Sequence, residues 1–176
     1  MSDTRRRRSL VVRALRGLGI ALAAVVAVAF ATGVVARFSD GPIGPFPGGP
    51  LVAGELVAAA PADWSFAAPL REIELEVNPE APRSRTTWVA VVDGDLYVPC
   101  GFPAAKRWPH EALRDGRVVV RIQGRRYERQ AVRENDPARL GRLGTEVQRK
   151  YGAGDAEAAV AGEKVWFFRL DPRPPA

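Results

Sequence analysis

The chain has 176 residues, 47% of them apolar and 26% charged, the balance of a folded domain with an appendage and not of a disordered chain. Its single cysteine, Cys100, excludes an internal disulfide and an all-cysteine metal site, and its single histidine, His110, excludes mechanisms that need two imidazoles. The net charge of +6 is matched by Arg5, Arg6, Arg7, Arg8, Arg13 and Arg16, which flank an apolar run, so it speaks of topology and no nucleic acid is expected as a partner.

Residues 1–16 read as a basic head. Residues 17–36, GLGIALAAVVAVAFATGVVA, carry no charge and reach the length of about 20 residues that crosses a bilayer core. A transmembrane helix in contact with membrane lipid is expected there. The arginines on its N-terminal side place that end in the cytoplasm and the remainder outside, a single-pass cell-membrane protein. A cleaved signal peptide has the same charge layout, and Ala29-Phe30-Ala31 resembles its cleavage site; the length of the run favours an uncleaved anchor. Residues 37–50 include GPIGPFPGGP, whose prolines and glycines resist helix and suggest a spacer. Residues 51–176 form the domain.

Within it, residues 51–60 read as a short helix or an apolar strap, and Trp64 and Phe66 as core aromatics. Residues 72–77 alternate Glu with Ile, Leu and Val, a half-buried strand whose carboxylates mark a solvent face. Residues 83–92 and 95–98 form a hairpin closed by Asp93-Gly94, the dipeptide suited to a two-residue turn. That hairpin delivers a basic loop, Lys106-Arg107-Trp108, ahead of a short helix at 109–114. Residues 117–123 and 125–133 make a second hairpin around Gly124; the latter strand is polar on one face and is expected outermost. Asp136 as N-cap, Pro137 at the first turn, an apolar stripe of Leu140, Leu143, Val147 and Tyr151, and Gly152 as stop define a helix. Residues 165–170, VWFFRL, read as a strand buried on both faces. The expectation is a mainly β fold: a small six-stranded antiparallel split barrel with two or so short helices.

The run TTWVAVVDGDLYV, then Lys106-x-Trp108, then VVVRIQGRRYERQAV, then a helix ending KYG, resembles the split-barrel flavin-binding superfamily of pyridoxamine 5′-phosphate oxidase and the deazaflavin-dependent nitroreductases. The likeness covers residues 71–170 and rests on the order of the pieces. It implies a split barrel, often a homodimer, with FMN or a deazaflavin in the dimer groove. It also implies that the flavin phosphate is held by residues matching 83–87 and 100–108. Here the loop after the aromatic strand, Pro99-Cys100-Gly101-Phe102-Pro103, offers no hydroxyl donors.

The candidate cofactor-binding residues are therefore Arg85, Thr86, Thr87, Lys106, Arg107 and Trp108. The Asp93-Gly94 turn makes the two strands antiparallel and brings the start of one and the end of the other to one edge. Each residue has a plainer reading as well: a solvated basic loop, good strand formers, an aromatic cap on the barrel. Cys100 is expected as a buried, inert thiol and His110 as a surface residue. No catalytic residue or metal ligand stands out, and no residue names the small-molecule substrate. Two functions stay open. One is a membrane-anchored oxidoreductase, nitroreductase-like, that binds FMN or a deazaflavin. The other is a non-catalytic tethered domain, without cofactor, that binds a ligand or partner.

Overall fold

A computed structural model describes residues 2–59, 61–152, 161 and 164–174 of the chain. It divides into two units, Met1–Val35 and Ala36–Ala176. The first belongs to α1 (Ser2–Arg37), whose stretch Leu15–Arg37 is long and apolar enough to cross a membrane. At about 1.5 Å per residue, its 23 residues extend about 34 Å.

The second unit is built on one sheet of eight strands: β1 (Glu55–Leu56), β2 (Glu72–Val77), β3 (Arg83–Trp88), β4 (Ala90–Val92), β5 (Asp95–Gly101), β6 (Arg117–Ile122), β7 (Arg125–Arg133) and β8 (Val165–Pro172). They run in the order β3-β2-β6-β7-β8-β5-β4 with antiparallel neighbours, and β1 adds to β7 in parallel. The helices are α2 (Trp108–Arg114) and α3 (Pro137–Tyr151). The sheet thus has eight strands where six were expected. Among the described residues no ladder joins its two ends, β3 and β4, so a closed barrel is not what the pairing draws.

The sequence itself joins those ends, because β3 and β4 are one extended run broken at Val89. The break has a physical cause. The Val89 N–H donates to the Tyr151 hydroxyl at 3.0 Å, and its carbonyl lies 2.7 Å from that hydroxyl and accepts from Lys150 Nζ at 2.9 Å. Val89 is fully buried, and α3 satisfies the polar groups that a ladder would otherwise take. The Tyr151 ring also stacks on Trp88 at 4.2 Å. Tyr151→Phe keeps that stack and orphans the Val89 N–H. It should cost about 1–3 kcal/mol in chemical denaturation, and a midpoint equal to wild type contradicts this role.

Two apolar clusters flank the sheet. Leu75, Val77, Val98, Val118, Val120, Ile122 and Phe168 form the larger one, with Trp64 packed edge-on against Tyr127 at 5.0 Å. Leu140, Leu143 and Val147 of α3 pack on Ala90, Tyr97 and Phe167 to form the other. Phe167 and Phe168 therefore bury opposite faces of β8, as the continuous apolar run predicts. The helix signals also hold: Arg139 N–H donates to the Asp136 carboxylate at 2.9 Å, and Gly152 closes α3 at φ 65°. Asp93 and Gly94 take φ 55° and 82°, the left-handed pair that the β4–β5 turn requires.

Three expectations are corrected. β7 is central, between β6 and β8, and not outermost; its alternation buries Tyr127, Arg129 and Ala131 and says which face is wet, not where the strand lies. The Gly/Pro run is held against the sheet, with Gly48 N–H donating to the Ser84 carbonyl at 2.8 Å and Ser84 Oγ donating to that of Gly49 at 2.6 Å. The β2 carboxylates are more than a solvent face. Glu74 pairs with Arg121, which also holds Asp40 at 2.8 Å, and Glu76 accepts the Leu51 N–H at 2.6 Å. They fasten the apolar strap at residues 51–57 across the sheet.

Candidate functional site

Residues directly opposite in an antiparallel pair share a face, and successive residues alternate. The register Ile73↔Thr87, Leu75↔Arg85 and Val77↔Arg83 therefore sets Arg83, Arg85 and Thr87 on the face where β2 buries its apolar residues. Ser84, Thr86 and Trp88 stand on the other face, opposite Glu76, Glu74 and Glu72. Arg85 and Thr87 are thus brought together, and Thr86, exposed on the reverse side, is not part of the group.

α2 approaches the Arg85 face. Phe102, in the left-handed region at φ 52°, turns the chain from β5 into Pro103–Ala105 and on to the helix. Trp108 is only 4% exposed and packs on Phe168 at 5.3 Å. It plugs the core and its ring is not a free stacking surface. The Arg85 guanidinium lies 5.8 Å from that ring. Lys106 and Arg107 stay exposed at the start of α2, and Arg107 approaches the buried carboxylate of Glu111 at 3.9 Å.

The electrostatics show how these groups cluster. Burial pushes the Arg85 guanidinium below its ordinary value, Glu111 opposes that, and Arg83 adds to it. Arg83 is pushed down by burial and by Arg37 and Arg107, with Glu111 again opposing. Arg37 Nη1 in turn donates to the Pro82 carbonyl at 3.4 Å, beside the start of β3. Glu111 thus acts on Arg83 and Arg85 and pairs with Arg107, while Arg37 acts on Arg83, and Lys106 acts with Arg85 on the Cys100 thiol. Among the described residues, the buried Nε–H of Arg85 has no acceptor. A buried donor without a partner is costly, and in a cationic cluster it suits an anion with several acceptor oxygens.

Proton chemistry is not served here. Burial pushes the Cys100 thiol up to about 11, against the pull of Lys106 and Arg85, so it is neutral at physiological pH and a poor nucleophile. Its folded value stands above the unfolded one, so its contribution to stability is full below pH 9 and disappears as the pH rises toward about 11. Cys100→Ala should flatten the alkaline fall of the denaturation midpoint over that window; an unchanged fall contradicts this. His110 sits 3.2 Å from the Pro103 carbonyl and edge-on to Trp166 at 5.3 Å. Among the described residues no group of three or more His, Cys, Asp or Glu could hold a metal ion.

An open cavity of about 530 Å³, lined by Val57, Pro61, Phe66, Ile122, Gln123 and Tyr127 among others, includes none of the six candidate residues. Its lining mixes apolar groups with Gln123 and the cation Arg125, and it includes no member of the cluster on β3. Sequence reasoning left out three members of that cluster. Arg83 was findable, since it lies two residues from Arg85 and so shares its face. Arg37 and Glu111 carry no short-range signal that ties them to β3.

No protein-family model matches the sequence, and neither does any curated protein. Solved structures match parts of the chain. A conserved hypothetical protein from Mycobacterium tuberculosis superposes with a TM-score of 0.49 at 20% identity, over 68% of this chain and 86% of that one. A protein from Listeria innocua named for pyridoxamine 5′-phosphate oxidase gives 0.47 at 18% identity, over 59% and 85%. An FAD-binding protein from Mesorhizobium loti gives 0.39 at 17% identity, over 59% and 82%.

Proposed function

We propose that the unit 36–176 binds FMN or a deazaflavin by its phosphate and serves as a membrane-anchored oxidoreductase of the nitroreductase kind. The observation that carries this is the buried Nε–H of Arg85, which has no acceptor among the described residues, with the cation Arg83 beside it and Glu111 opposing the charge of both. A flavin phosphate brings close to two negative charges and several acceptor oxygens, which fits that donor set. Arg85 would hold it with Lys106, and Thr87 adds a hydroxyl on the same face. Trp108 backs Arg85 and takes no further part. When bound, the cofactor supplies hydride transfer, so the absence of an acid–base pair from the cluster is compatible with the role. α1 would tether the unit to the cell membrane, with the basic head on the cytoplasmic side.

The second reading, a tethered domain without catalysis, draws on the Pro99–Pro103 loop, which offers no hydroxyl donor, and on the burial of Trp108. The absorption spectrum of the full chain purified in detergent, followed by fluorescence-quenching titration with FMN and with a deazaflavin, separates the two. Saturable quenching supports the first reading, and silence with both up to millimolar concentration leaves the second.

A further inference from the structure

Arg37 belongs to two features at once. It is the last residue of the stretch Leu15–Arg37 that is long and apolar enough to cross a membrane, and its guanidinium is bonded to the Pro82 carbonyl beside Arg83. Chain continuity alone therefore fixes the height of Arg37: if α1 spans the bilayer, this residue stands where the hydrocarbon core gives way to headgroups. The next residue, Phe38, is 84% exposed. So large an apolar surface is unfavourable in water and favourable in the headgroup layer, where aromatic side chains concentrate. Ile43 and Phe46, joined by a pair of backbone hydrogen bonds at 3.0 and 3.1 Å, form a small apolar turn a few residues on. Arg83 lies beyond Pro82, and Arg107 is one turn of α2 from the Glu111 carboxylate that Arg83 also feels.

We propose that Arg37, Arg83 and Arg107 form a phosphate site at the membrane surface, occupied by the headgroup of an anionic phospholipid. This rests on the anchored, anion-binding reading given above and adds a source for one anion. The lipid phosphate takes the rim cations next to the span, while Arg85 keeps the inner position. The shared chemistry is a phosphate that meets guanidinium groups in pairs, and guanidinium suits phosphate through its forked donors. Basic residues beside a span attract anionic lipid in this way.

The test uses the full chain in dodecyl maltoside micelles, with phosphatidylglycerol or phosphatidylcholine added, and counts retained lipid by native mass spectrometry. The wild type should retain phosphatidylglycerol in preference to phosphatidylcholine, and R83Q/R107Q should weaken that preference about ten-fold. R142Q/R149Q removes the same charge from exposed arginines elsewhere and should leave it intact; the basic head is common to all variants. The side chain of Arg107 is 94% exposed, so R107Q alone cannot unfold the chain and should give a smaller loss in the same direction. Equal retention of both lipids by wild type, or an equal loss in R142Q/R149Q, overturns the inference. FMN titrations run beside it keep the two readings apart. FMN binding without lipid preference overturns the lipid site and leaves the flavin site standing. Lipid preference without FMN binding supports the lipid site and removes the flavin.

Discussion

Replacing Leu143 by Asp should leave the unit 36–176 unfolded or nearly so at room temperature. Leu143 has no exposed surface, and in the middle of α3 it sits among Ala90, Tyr97, Leu140, Val147 and Phe167. A carboxylate there has no partner within the cluster, and burying one uncompensated costs several kcal/mol in addition to the lost apolar contact. Domains of this size hold only about 5–15 kcal/mol in total. The loss propagates, because α3 also carries Tyr151 and Lys150, which satisfy the Val89 backbone at the break between β3 and β4. Far-UV circular dichroism and urea denaturation read the effect. A variant that unfolds at the wild-type urea concentration would show that α3 is not docked through this face.

The second large effect is on binding, and its sign on stability runs the opposite way. Arg85→Met should weaken FMN binding by about one to two powers of ten, since charge-assisted contacts contribute roughly 1.5–3 kcal/mol each. Yet it should melt at or above the wild-type temperature. Burial disfavours the Arg85 charge, its Nε–H lacks an acceptor, and an apolar side chain of similar reach removes both costs. Glu111 keeps Arg83 and Arg107 as compensating charges. A residue kept for a ligand at the expense of the fold behaves in this way, whereas a structural arginine loses stability when removed. A marked drop in melting temperature with unchanged FMN affinity would assign Arg85 to the fold.

The parts of this fold that were legible are those set by local chemistry. Asp93-Gly94 specifies its turn through two left-handed residues, and Asp136, Pro137 and Gly152 bound α3 through capping. Alternation in β2 fixes which side of that strand is apolar. What a strand's pattern does not carry is its neighbour. Residues 125–133 show a polar face, which describes one side of the strand, and its central place between β6 and β8 depends on distant partners. The break at Val89 was hidden for the same reason, because its hydrogen-bond partner is 62 residues away in sequence. The strap was one of two readings of residues 51–60, but its fastening was hidden: Leu51 is held by Glu76 and Arg126, neither of which marks it locally.

The candidate site divides along the same line. The two stretches of cations were visible, and the hairpin brings Arg85 and Lys106 to one neighbourhood, where both act on the Cys100 thiol. Thr86 was grouped with them by adjacency, but adjacency in a strand means opposite faces. Arg83, two residues before Arg85, was the better choice by period two. Arg37 enters from the end of α1 and was reachable only through the fold.

The central claim is that the cation cluster on β3 and α2 holds a phosphate, and pairing FMN with riboflavin tests it most directly. The two share the ring system and differ in the phosphate. Full chain in detergent, titrated with each by fluorescence quenching, should bind FMN at least about ten-fold more tightly than riboflavin. Equal affinity for the two, or no binding of either, would contradict it.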